Sequence, residues 1–225
     1  MKRMLTMLAV ALLVVALASG AALATVGNIK NTKHDLSITS TAATKSSNED
    51  EICVFCHTPH NAAKAVPLWN RTNSAANYTT YSSTTLDGQR DTISGSSTNI
   101  SVLCLSCHDG TISLGSVVNN YPSGSMVRGE DPAFTAGPTV DATGKLIAAN
   151  TKLGTDLSTT HPIAIEYKET ADMNTISSLT NVVLFGNTPK KVECASCHSV
   201  HNNDNPPFLR RSNTGSALCL ECHKK

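Results

Sequence analysis

The 225-residue chain carries 18 basic and 17 acidic side chains and a formal charge of +1. That balance gives no basic patch dense enough for nucleic acid. Aromatic residues make up only 4% of the chain, too few for an ordinary core of this length.

The chain opens with a basic n-region, Lys2 and Arg3, then an apolar run ending in Ala22-Leu23-Ala24. Residues 1–24 read as a secretory signal peptide, because the run is short for a bilayer span and ends in a small-x-small cleavage pattern. Cleavage leaves residues 25–225, with 16 basic against 17 acidic side chains and no second apolar run of spanning length. An exported chain with no transmembrane segment after cleavage is expected. It should be extracellular or at the cell surface, with the periplasm as the alternative.

His34 comes next, in NTKHDLS, followed by CVFCHTPH from Cys53 to His60. CLSCH runs from Cys104 to His108, His161 sits in TTHPI, CASCHSVH runs from Cys194 to His201, and CLECH from Cys219 to His223. Cys-x-x-Cys-His is the attachment signature of c-type haem. Cysteines three apart on one turn present both sulfurs to one side, where they can form thioethers to a single porphyrin. The next histidine lies where it can ligate the iron. Cys53 and Cys56, Cys104 and Cys107, Cys194 and Cys197, and Cys219 and Cys222 therefore predict four covalent haem c groups, with His57, His108, His198 and His223 as metal ligands. A disulfide framework or paired zinc sites would also use eight cysteines, but neither needs a histidine after every second one.

Four further histidines remain: His34, His60, His161 and His201. One spare histidine for each haem predicts bis-histidine ligation throughout. His60 and His201 recur at the same offset, three residues after the motif histidine. That offset puts each on the same side of its own porphyrin, so each should ligate a different haem and join two redox centres. The pairing stays open: each half may be self-contained, with His34 or His161 serving its first haem and His60 or His201 its second, or pairs may cross halves or subunits. Met126 and Met173 are read as ordinary apolar side chains.

The region after the signal segment is internally repeated, the first organisational test for any chain. CVFCHTPHN is followed by Pro67-Leu68-Trp69-Asn70-Arg71, and CASCHSVHN by Pro207-Phe208-Leu209-Arg210-Arg211. Ser101-Val102-Leu103-Cys104 then corresponds to Ser216-Ala217-Leu218-Cys219. Residues 25–225 are expected to form one tetrahaem unit from two duplicated dihaem halves, about 25–110 and 155–225, joined by a polar linker. The fold class expected is a multihaem cytochrome c: mostly irregular coil, short α-helices at the motifs, and a core of four stacked haems. Trp69 and Phe208 are read as packing residues. Arg71 and Arg211 are either haem-propionate partners or solvated.

The order of these elements resembles the tetrahaem c-type cytochromes with doubled CxxCH motifs, and in particular the OmcE-type extracellular cytochromes. NTKHDLS, CVFCHTPHN, CLSCHDGT, THPI, CASCHSVHN, PPFLRR and GSALCLECHKK carry the likeness over nearly all of residues 25–225. The resemblance implies a homopolymeric extracellular filament with an unbroken haem chain. It also implies that a histidine of one subunit can complete a haem of the next, and His34 is the candidate. Redox partner proteins and extracellular acceptors would follow.

The expected function is electron transfer with no catalytic residue, since bis-histidine iron has no open position and lacks the potential-raising methionine. A soluble periplasmic tetrahaem shuttle is the alternative. An oxidoreductase with an open haem comes third.

Overall fold

Both α-helices fall on Cys-x-x-Cys-His motifs, and most of the other described residues are irregular. The computed structural model describes residues 28–63, 67–95, 98–121, 127, 129–188 and 190–224. The signal segment and Met126 lie outside them. The elements run β1 (Thr79–Thr80), α1 (Ser101–His108), β2 (Asp156–Leu157), β3 (Ile165–Glu166), β4 (Lys191–Val192) and α2 (Cys194–Cys197). Short 3-10 turns cover Ile176–Ser178, Thr214–Ser216 and Cys219–Glu221. Among the described residues no helix is long and apolar enough to cross a membrane.

A helix was expected at every motif, and the structure keeps true α-helix only at the second and third. The first motif is a single turn, with Cys56 and His57 both donating backbone N–H to the Cys53 carbonyl at 3.1 and 2.8 Å. The fourth is a 3-10 turn. The chain after the first motif folds back on it. Thr58 N–H donates to the Leu68 carbonyl at 2.9 Å, and Asn70 N–H to the Cys56 carbonyl at 2.9 Å. The same two bonds recur after the third motif, from Ser199 to Phe208 at 2.7 Å and from Arg210 to Cys197 at 2.9 Å. Both fold-backs turn on a residue in the left-handed region, Leu68 at φ 62° and Phe208 at φ 61°. That region is costly for a side chain and persists only where surrounding contacts fix it.

α1 ends at Gly110, whose φ of 71° lets the chain leave the helix while its N–H donates to the Cys107 carbonyl at 3.1 Å. The intervening segments are not merely spacers. β1, from the polar loop of the first half, pairs in parallel with β2, in register Thr79 with Asp156. β3 pairs antiparallel with β4, Ile165 opposite Val192, and so delivers the chain into the third motif. The main apolar cluster joins Trp69, Tyr78, Ile93, Val102, Leu103, Leu105, Leu157 and Ala164, with Cys56 packed against it. A smaller one, Leu114, Val140 and Leu146, lies in the linker and packs on Cys107. The protein core is therefore assembled around the first two motifs.

Candidate haem-attachment and axial-ligand site

The eight cysteines are free thiols. Among the described residues no group of three His, Cys, Asp or Glu side chains is arranged to hold a metal ion, so the geometry here is not that of a closed zinc cage. The thiols follow one another in motif order. Cys56 is pushed up to about 12, by burial and then by the charge of Cys107. Cys104 and Cys194 share a hydrogen bond. That bond pushes Cys104 up, helped by burial, and pulls Cys194 down against burial. Burial and then the charge of Cys219 push Cys197 up. Burial and then Cys197 take Cys222 to about 11. The helices that carry the second and third motifs, α1 and α2, pack against each other.

Three motif histidines point Nδ1 at a backbone carbonyl: His57 at Pro67 (2.7 Å), His108 at Thr151 (2.7 Å) and His198 at Pro207 (3.0 Å). A carbonyl only accepts, so each Nδ1 carries the proton and each Nε2 keeps its lone pair. This is the tautomer an iron-binding imidazole needs, and an outer hydrogen bond of this kind also fixes the ring. The fold-backs supply two of the three carbonyls. Leu153 N–H, bonded to the His108 carbonyl at 2.6 Å, secures the third strap. At the fourth motif a strap runs along Asp172–Asn174, with Asn174 N–H on the Cys222 carbonyl at 2.8 Å and Lys224 N–H on that of Asp172 at 2.7 Å.

The spare histidines are placed as follows. His201 stacks opposite His57, centroids 6.1 Å apart and planes 19° from parallel. His34 stands 6.0 Å from His108, and His161 6.4 Å from His223. Two imidazoles on opposite faces of one metal, each bonded at about 2.0–2.1 Å as in zinc–histidine bonds, have ring centres roughly 6 Å apart. The three centroid spacings are of that size. Burial, then the charges of His108, His198 and His201, push His34 down to about 4, so its ring is neutral in the ordinary pH range. Its Nδ1 is buried without a partner, an unsatisfied atom that fits a ring awaiting a further neighbour. Among the described residues His60 and His198 are the two imidazoles with no facing ring; both are exposed.

These placements differ from a self-contained scheme in which His34 and His161 serve the first haem of each half. Both instead face the second motif of their half, and His201 faces the first motif of the other half. Arg71 is buried, whereas Arg211 is partly exposed and ion-paired. Arg71 is 1% exposed and donates to the carbonyls of Leu114 (2.6 Å), Ser113 (2.7 Å) and Ser106 (3.3 Å) and to Ser106 Oγ (3.3 Å). Arg211 pairs with Glu221, which stands where Ser106 does in the first half. Each arginine thus bonds the residue between the cysteines of the following motif, Ser106 or Glu221. Sequence reasoning overlooked Glu221 and Glu193, both buried acids beside a motif. The one available signal was their position within or immediately before Cys-x-x-Cys.

Residues 188–225 match the family model for the doubled CXXCH motif. That match supports a multihaem c-type cytochrome with covalently bound haem and an electron-transfer role. No curated protein matches the chain. The mostly coiled backbone with few short helices agrees with such a protein, in which cofactor and loops share the packing.

Proposed function

We propose that this chain is an exported tetrahaem electron carrier that assembles head to tail into an extracellular filament. The observation that carries the reading is the set of three facing histidine pairs. Bound haem would supply a one-electron iron couple. The chain's residues then have defined parts: the eight cysteines tether, His57, His108, His198 and His223 ligate from one side, and the spare histidines close the other. His34 serves the iron of His108, His161 that of His223, and His201 that of His57. With both faces taken, no position is left for a substrate, which favours electron transfer over chemistry on bonds.

The same pairs supply the polymer. His201 of the second half reaches the first motif of the first half. The equivalent step from the second half needs the counterpart of His201, which is His60, and it must come from another copy. His198 of one chain and exposed His60 of the next are the complementary ends. On this reading His60, rather than His34, is the intersubunit ligand, since His34 stands beside His108 of its own chain.

Electron microscopy and absorption spectroscopy of the purified haem-loaded protein test this together. Native protein should form fibres with only low-spin haem. His60→Ala should give discrete particles with one high-spin, carbon-monoxide-binding haem per chain, while covalent haem content is unchanged. Discrete particles from the native protein would make it a soluble shuttle, and fibres of all-low-spin His60→Ala protein would sink the assignment of His60.

A further inference from the structure

The joint between the two halves is built around one buried carboxylate. Glu193 precedes Cys194 and is 3% exposed. Its side chain and Ser196 form a capping box at the start of α2, with Glu193 N–H donating to Ser196 Oγ at 2.9 Å. Capping accounts for that arm alone. The rest of the carboxylate faces α1, 92 residues away in sequence. Ser101 donates to Oε2 through its hydroxyl and, at 3.4 Å, through its backbone N–H. Asn99 Nδ2 donates to Oε1 at 3.1 Å. Ser101 Oγ in turn accepts the Cys194 N–H at 2.9 Å, closing a ring of bonds between the two helix starts. Ser101 and Ser196 are themselves buried.

Across this joint α1 and α2 pack against each other, so Cys104 of the second motif and Cys194 of the third stand on adjoining helices. Both sulfurs are haem tethers in the reading above. Ile52, Leu103 and Leu218 occupy the corresponding position before the other three motifs. An acid at a helix start is favoured by the exposed N–H groups there. Here one carboxylate serves two helix starts at once.

We propose that Glu193 is a positioning residue that locks the second and third haem attachment sites edge to edge, and so sets the electron-transfer contact between the two halves. The proposal rests on the tetrahaem reading. Supporting residues of this kind hold a constellation to within about 0.5 Å, and their loss loosens it without removing it.

The test compares Glu193→Ala, Ser101→Ala and Ser196→Ala in haem-loaded protein. Covalent haem is counted by intact mass, and haem–haem coupling is read from the Soret couplet in circular dichroism and from magnetic spin coupling. Glu193→Ala and Ser101→Ala should retain every haem yet lose a measurable part of the couplet. Ser196→Ala, which removes only the cap arm, should lower the melting temperature and leave the couplet as it is. Full haem content with an unchanged couplet in both Glu193→Ala and Ser101→Ala overturns the positioning role. Should Glu193→Ala fail to fold, the milder Ser101→Ala decides alone. A native protein with no haem on the second or third motif overturns the tetrahaem reading instead.

Discussion

His57 and His201 face each other ring to ring, 6.1 Å apart and 19° from parallel, although they belong to opposite halves of the chain. His57 is held from behind by the Pro67 carbonyl, so its free nitrogen is turned away from that strap. Removing His201 should leave the tethers at Cys53 and Cys56 untouched and vacate one axial position. In His201→Ala, one haem in every four should become high-spin and bind carbon monoxide; His201→Met should instead stay low-spin at a raised potential. Visible spectra and a redox titration report both. An unaltered spectrum in His201→Ala would mean that His57 has another partner.

Arg71 should be among the most sensitive side chains. Its guanidinium is buried and satisfied by four acceptors, three of them main-chain carbonyls. Arg71→Ala would orphan those acceptors and open a cavity beside the second motif, at a cost of about 3 kcal/mol. Arg211→Ala should cost about 1 kcal/mol or less, since that side chain is 43% exposed and Glu221 keeps Asn181 and Thr180. Chemical denaturation of the two haem-loaded variants separates these figures; equal losses would contradict the account.

Acid should loosen the fourth motif first. Burial opposes ionisation of Glu221, but hydrogen bonds from Asn181, Thr180 and Arg211 outweigh it and hold the carboxyl down to about 2. A folded-state value below the ordinary 4.5 means the stabilisation is complete above pH 4.5 and is lost as pH falls through about 2. Thermal melts across that window should show a falling transition temperature. Glu221→Gln should be less stable near neutrality and lose less on acidification. A native profile flat across the window would refute the linkage.

Gly110 should tolerate no side chain. Its φ of 71° is unfavourable for other residues, and a Cβ there would lie 2.7 Å from the Leu146 carbonyl oxygen. Gly110→Ala should therefore destabilise by roughly 1–3 kcal/mol, read by denaturation of the haem-loaded protein.

The chemistry was legible in the sequence because it is written in contiguous residues. Cys194, Cys197 and His198 announce themselves by spacing, and the repeat relating Arg71 to Arg211 can be read by eye. The partners of His34, His161 and His201 could not be read that way. Which imidazole meets which depends on how loops of unequal length return, and the fold-back at Leu68 or Phe208 has no local sequence code beyond a preceding proline. Helix at the first motif was over-read for the same reason: three residues of spacing are satisfied by one turn. Arg71 shows the opposite failure, since a cation in a polar stretch looks solvated until three distant carbonyls close around it. The clamp at Glu193 lies between segments 92 residues apart, beyond any periodicity.

The straps behind His57, His108 and His198 have a consequence for how such a chain can change over time. Their acceptors are main-chain carbonyls of Pro67, Thr151 and Pro207. Every amino acid brings a carbonyl, so a point substitution at those three sites alters the side chain and leaves the acceptor in place. Ligand basicity is thereby insulated from mutational drift. Under the proposed ligation, the tuning of the irons is carried by the backbone and outlasts side-chain change at those three sites.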